Sequence, residues 1–325
     1  MKRIFVLFLS LLLSAGCGRQ PTQPQGNLPD RPPSAQAKPA DNPSLLEGRR
    51  GFSTKIVRKK SDRQPPAEPP PNLFRLVRYD SPAGKLAAYV SPAPQDGKKR
   101  PAILWITGGD CNSIDEGCWQ EQPPQNDQSA SAYRKAGLIM MFPSLRGGND
   151  NPGVREGFFG EVEDVIAARD YLAGQDYVDA GRIYLGGHST GGTLVLLVAA
   201  ASDRFRAVFS FGPVANLAGY PAEYRPFDTT NAGEFELREP VHWLGAIRSP
   251  VFVFEGTERG NLTSLQQLAK TSTNPLAHFH PVKKGDHFSI LAPTNRLIAD
   301  KLLRDTGPAT NVSFTEEELN RLLAK

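Results

Sequence analysis

Residues 186–192 read Gly-Gly-His-Ser-Thr-Gly-Gly, between the apolar runs Arg-Ile-Tyr-Leu (182–185) and Thr-Leu-Val-Leu-Leu-Val-Ala-Ala-Ala (193–201). Glycine loses more backbone freedom on folding than any other residue, so four of them around one Ser-Thr pair need a reason. Three readings compete: a phosphate cradle, a tight turn without chemistry, and a turn that presents a nucleophile. A phosphate loop needs a lysine directly before its Ser/Thr, and His188 stands there. A dinucleotide loop opens the first strand–helix unit and has an acid about 20 residues on. This motif lies mid-chain, and residues 205–213 contain no acid. Gly187 to Gly191 fit the remaining pattern, Gly-x-Ser-x-Gly, in which a strand reverses sharply into a helix and lifts the Ser189 hydroxyl above the sheet. The helix N-terminus beneath adds partial positive charge where an oxyanion would form.

That geometry requires an acid and then a histidine further along the chain. Of five histidines, His287 is the best placed, in a Gly-Asp turn after the last apolar strand. His188 is inside the motif, and His242 precedes a strand. His278 and His280 alternate on a strand, as a polar strand end or, less simply, a metal-binding face; no metal and no cofactor is expected. The acid belongs in the loop after Pro-Val-Phe-Val-Phe (250–254), which offers Glu258 and Glu255. Glu258 lies further into the loop and is the expected acid, with Glu255 the alternative. Either could instead pair with Arg259. An oxyanion hole needs two backbone N–H groups: one from Thr190, the other from Gly109 or Asp110 in the Gly108-Gly109 loop.

The elements around these residues alternate. Residues 73–91 read as a hairpin, and 102–107 and 138–144 as buried strands. Val162, Val165, Ile166, Ala168 and Leu172 fall at helical spacing, with acids in the first turn and Gly174 at the end. Further strands lie at 207–213, 249–256 and 276–282. Helices start near Asn261 and Leu291, and the last carries a capping box, Thr315 with Glu318. Uniformly apolar strands alternating with helices argue an α/β fold: a mostly parallel twisted sheet, an antiparallel N-terminal hairpin and helices on both faces.

The chain has 325 residues, 29 of them proline, and a net charge of +4, too mild to point to nucleic acid. Lys2, Arg3, the ten-residue run Ile4–Leu13 and Ser-Ala-Gly-Cys (14–17) form a secretory signal too short to span a bilayer. Its end resembles a bacterial lipobox. That resemblance implies that Cys17 becomes the lipidated first residue of the mature chain, at the outer membrane because Gly18 follows. The expected organisation is a signal at 1–17, a Pro-rich disordered tether at 18–71 and one domain at 72–325. Arg49 to Arg63 holds seven Lys/Arg against one Asp, read as a solvated linker or a patch for anionic headgroups. With Cys17 lipidated, Cys111 and Cys118 remain as an even pair, and an oxidising compartment allows them to form a disulfide.

The segments Thr-Gly-Gly-Asp (107–110), Ser-Leu-Arg-Gly (144–147), Asp164 to Leu172, the serine motif, Phe-Glu-Gly-Thr-Glu-Arg-Gly (254–260) and Gly-Asp-His-Phe (285–288) occur in the order of a known family. From about Leu73 to Arg304 the chain resembles the catalytic domain of the prolyl oligopeptidase-like branch of the α/β hydrolases. The resemblance implies a serine hydrolase with Ser189, an acid near Glu258 and His287. Arg259 stands where the family usually has the acid, and seventy Pro-rich residues cannot hold the family's propeller domain. The expected activity is cleavage of an ester or amide carbonyl in a small molecule or peptide through an acyl-enzyme. The alternatives are a non-catalytic envelope lipoprotein that uses the fold for binding, and an acyltransferase. Tyr220, Tyr224, Phe227 and Phe235 line an acyl pocket or form core, and Arg146 binds a substrate carboxylate or braces loops.

Overall fold

The protein is described by a computed structural model over residues 42–324. The strands are β1 (Arg75–Ser81), β2 (Gly84–Val90), β3 (Arg100–Ile106), β4 (Ile139–Pro143), β5 (Val178–His188), β6 (Val208–Phe211), β7 (Val251–Gly256) and β8 (Ala277–Val282). They form one sheet in the order β1-β2-β4-β3-β5-β6-β7-β8. β1 and β2 are the expected antiparallel hairpin, and β2 meets β4 antiparallel. From β4 to β8 every pairing is parallel.

The period-2 alternation of side chains divides each strand between two cores. Leu104 and Ile106 of β3 face one cluster, Ile103 and Trp105 the other. The first cluster is covered by α1 (Leu45–Gly48), α3 (Glu161–Ala173), α4 (Thr190–Ala201) and α6 (Leu262–Thr271), through Leu45, Val162, Leu194 and Leu265. The second is covered by α2 (Ser131–Lys135), α7 (Leu291–Arg304) and α8 (Glu316–Arg321), through Tyr133, Leu291, Ile298 and Leu319. One short helix, α5 (Ala232–Glu236), lies in the insertion between β6 and β7. The capping box of Thr315 and Glu318 opens α8 as the sequence predicts.

The expected signal at 1–17, Cys17, and the tether up to residue 41 lie outside the described residues. Residues 42–71 correct the tether's extent, because they are docked on the domain. Leu45 is fully buried. Arg49 is buried and donates to the carbonyls of Leu237, Phe158 and Phe159. Glu234 accepts from the Thr54 hydroxyl and the Lys55 N–H, and Ile56 pairs with Phe227. The cause lies in α4, all twelve of whose residues are buried. A helix apolar on every side needs cover on its outer face as well as its sheet face. Part of that cover is α1, which packs against α4, and part is the segment Leu244–Ala246.

His278 and His280 stack on aromatic rings rather than facing a ligand cluster. His280 lies 5.3 Å from Phe254 and 5.8 Å from Phe314, and its Nε2 is buried without a hydrogen bond among the described residues. Burial, helped by neighbouring His278, pushes the His280 imidazole down to about 4. Between that value and the unfolded pKa of about 6.5, the unfolded chain binds the extra proton, so stability falls as pH falls. This group alone removes roughly 2 kcal/mol between pH 6.5 and pH 5. Urea unfolding at several pH values should show that decline, and His280→Phe should flatten it. An unchanged slope in the variant would contradict the assignment.

Candidate active site

Ser189 sits at the junction of β5 and α4 with φ 55° and ψ −113°. A β-carbon rarely tolerates this region, and holding a residue there costs on the order of 1–3 kcal/mol. Neighbouring bonds hold it. The Ser189 N–H donates to Phe211 O (2.7 Å), and its carbonyl accepts from the Thr193 N–H (2.9 Å). The surrounding glycines permit close approach. A β-carbon on Gly191 would lie 2.3 Å from the Ile106 carbonyl oxygen, and one on Gly192 the same distance from that of Phe211. The first turn of α4 is thereby wedged between the ends of β3 and β6.

The end of β6 brings in the second part of the site. A β-carbon on Gly212, where φ is 57°, would meet His287 Cε1 at 2.4 Å and Glu255 Oε2 at 2.8 Å. Consecutive residues, Phe211 and Gly212, thus contact Ser189 and the His287–Glu255 pair. His287 Nδ1 lies 2.9 Å from Glu255 Oε2. Glu255 is fully buried, so its carboxylate needs partners. They are His287, the Gly256 N–H (2.7 Å) and the Asn261 N–H (3.0 Å).

The expected contact of Glu258 with His287 is therefore corrected: Glu255, the alternative, makes it. Glu258 is exposed, and its backbone N–H is used on the Gly285 carbonyl. The loop folds back at once: Arg259 O accepts from the His287 N–H (2.8 Å), which brings the histidine down to the strand end instead of out to the loop tip. Asp286 caps its own turn, accepting from the N–H groups of Phe288 and Ser289.

The loop after β3 flanks Ser189 on the other side. Gly109 has φ 70°, and its carbonyl accepts from the Thr190 hydroxyl (2.8 Å). Among the described residues the N–H groups of Gly109 and Asp110 make no hydrogen bond. Thr190 is the first residue of α4, where a helix leaves its N–H without an internal partner. The Asp110 side chain is held by Arg155 in two bonds of 2.6 and 2.7 Å.

No disulfide braces this loop. Cys111 and Cys118 are free, and the expected pairing is corrected. Cys111 belongs to the core on one face of the sheet and Cys118 to the core on the other. Burial raises both thiols above their usual range. A polar network does the bracing. Asn112 donates to Arg146 O (2.9 Å) and Glu161 Oε1 (3.2 Å), and its carbonyl accepts from the Leu145 N–H (2.8 Å). Arg146 grips Asp164 through Nε (2.9 Å) and Nη2 (3.0 Å) and also reaches Glu156 (2.9 Å). Of its two expected roles, it braces loops.

A cavity of about 190 Å³ lies beside this loop, lined by Cys111, Phe158, Tyr224 and Pro226 with Lys60, Asp110, Arg155 and Glu223. Tyr224 is tilted against Tyr220 (5.6 Å), whose hydroxyl is 3.0 Å from that of Thr193 in the first turn of α4. The four aromatics divide. Tyr224 lines the cavity, whereas Phe227 is buried under the Arg238 guanidinium and edge-on to Phe235. Lys60 lines the cavity although its sequence neighbours read as a linker.

The fold is the α/β-hydrolase fold. The profile of the Prolyl oligopeptidase family matches residues 124–258, a span that holds Ser189 and both glutamates but not His287. Prolyl oligopeptidase A of Amanita bisporigera is 35% identical over 147 residues, covering 42% of this chain and 18% of its own length. The structure is similar to that of Porphyromonas gingivalis dipeptidyl peptidase 4, with a TM-score of 0.56 and 17% identity over 72% of this chain and 35% of the peptidase. It is also similar to an esterase from Pyrobaculum calidifontis, with a TM-score of 0.52 and 16% identity over 72% of this chain and 86% of the esterase. The chain spans well under half the length of either peptidase.

Alkylation in denaturant without reductant, followed by peptide mapping, should find Cys111 and Cys118 each modified. A linked 111–118 peptide would contradict the free-thiol assignment.

Proposed function

We propose that the protein is a serine hydrolase that cleaves ester or amide carbonyls of small molecules or short peptides. The observation that carries this reading is the buried Glu255 carboxylate on His287 Nδ1, beside a serine held at φ 55°. Ser189 Oγ attacks the carbonyl carbon, and His287 Nε2 takes the hydroxyl proton. Glu255 fixes the imidazole tautomer and stabilises the imidazolium that forms. The N–H groups of Thr190 and Gly109 receive the oxyanion; one such donor is typically worth about 3 kcal/mol of barrier. His287 then protonates the leaving group. Water, deprotonated by the same imidazole, releases the acyl group and restores Ser189. The cavity beside the Gly109 loop accommodates the acyl side, with apolar walls from Phe158, Tyr224 and Pro226.

Hydrolysis of p-nitrophenyl butyrate tests this directly. Ser189→Ala should abolish it. Glu255→Gln should lower kcat by about 10³- to 10⁴-fold, because the neutral amide no longer holds the tautomer or the cation. Glu258→Gln should stay within about twofold, as expected for an exposed side chain away from the histidine. Loss in Glu258→Gln with an active Glu255→Gln would reverse the assignment.

We also propose that Cys17 carries lipid and holds the domain at the cell envelope, on the outer membrane. This rests on the lipobox-like end of the leader and the proline-rich run after it. Radiolabelled palmitate should be incorporated by the full chain and not by Cys17→Ala; equal labelling of both would refute the anchor.

A further inference from the structure

His188 takes no part in the chemistry above, yet its imidazole is buried to 1% exposure between the two sides of the site. Its Nε2 lies 2.9 Å from the carbonyl oxygen of His287. A carbonyl only accepts, so Nε2 carries the proton and donates. Nδ1 is then the acceptor, and Gln128 Nε2 lies 2.9 Å from it. Gln128 Oε1 is also 3.1 Å from Nδ1, and the other neighbours of the amide decide which end donates. Its nitrogen also donates to Asn126 Oδ1 (2.7 Å), and its oxygen accepts from the Gly108 N–H (3.3 Å). The result is a continuous line: Gly108 N–H to Gln128, Gln128 to His188, His188 to His287 O. One end is the loop of the oxyanion donors and the other is the backbone of the base.

The packing around the line is close. A β-carbon on Gly108 would lie 2.7 Å from His188 Nδ1. The His188 and His287 rings are 4.5 Å apart, and Phe288 packs edge-on against both. Burial first, then repulsion from a charged His287, pushes the His188 imidazole down to about 3, so it stays neutral in the single tautomer the line needs. The His287 peptide is clamped from two directions: its N–H by Arg259 O and its carbonyl by His188.

We propose that His188 is a positioning residue: its Nε2–H bond to the His287 carbonyl, backed by Gln128, sets the base against Ser189 and ties it to the Gly108–Gly109 loop. This rests on the hydrolase reading above. It explains the chemistry at the second position of the Gly-His-Ser-Thr-Gly motif, where the motif itself requires no particular residue.

The test separates the two nitrogens of the ring. A glutamine at 188 can place a donor near the position of Nε2, whereas an asparagine reaches only as far as Nδ1. With p-nitrophenyl butyrate, His188→Asn and His188→Leu should lower kcat by about 10- to 100-fold, the scale of a small misplacement of reacting groups, with KM within about threefold. His188→Gln should recover most of that loss. Gln128→Met breaks the line from its partly exposed side and should also lower kcat. Combined with His188→Asn it should add little further, because both interrupt one line. Equal kcat in the Asn and Gln variants would overturn the proposal. So would an unchanged kcat in Gln128→Met, which decides the matter even if the His188 variants fail to fold. A wild-type protein without esterase activity would remove the hydrolase reading itself; an active wild type with indifferent variants removes only the role of His188.

Discussion

The approach of a helix end to two strand ends governs the site. Gly191 packs on the Ile106 carbonyl at the end of β3, and Gly192 on the Phe211 carbonyl at the end of β6. No side chain fits at either contact, and Ser189, directly before this turn, is forced to positive φ. Everything chemical follows from where those strands end. β3 leads into Gly108 and Gly109, and β6 leads into Gly212, against which His287 and Glu255 meet. The sheet therefore sets the relation among Ser189, the Gly108–Gly109 loop and the His287–Glu255 pair, and the loops complete it.

Two kinds of support hold this arrangement, and both are polar. On the side of the Gly108–Gly109 loop, Arg146, Asp164, Glu161 and Asn112 join the loop after β3 to the loop after β4 and the first turn of α3. On the side of His287, Glu255 gathers two backbone N–H groups and one imidazole at a fully buried position. Both Glu255 oxygens are satisfied, and such a network fixes one geometry, whereas Glu161 Oε2 on the other side has no partner among the described residues. Two of the three acids in the first turn of α3, Glu161 and Asp164, read as ordinary helix-start residues but are members of the first network.

Much of this was legible in the sequence. The serine motif, the strand and helix order, the position of His287 and the glycine loop after β3 each carry a local signature. Glu258 outranks Glu255 on sequence alone because loop position is visible there and the fold-back of Arg259 onto His287 is not. The docking of residues 42–71 was hidden for another reason. Composition reports what a segment buries on average, and here a few residues such as Leu45 and Arg49 do most of the work across nearly two hundred residues of chain. Two signals were present: Ser44 and Glu47 at capping-box spacing, and an α4 too apolar to lack an outer cover. The disulfide inference failed because two cysteines close in sequence can point into opposite cores of one sheet. The polar link through His188 depends on Gln128, sixty residues away, and no local pattern announces it.

The most direct test is a crystal structure of the protein after reaction with a fluorophosphonate ester. The predicted outcome is one adduct, on Ser189 Oγ, with the phosphonyl oxygen between the N–H groups of Thr190 and Gly109 and the Glu255–His287 contact retained. An adduct on another residue, or a Ser189 adduct whose oxygen faces solvent away from those two N–H groups, would contradict it.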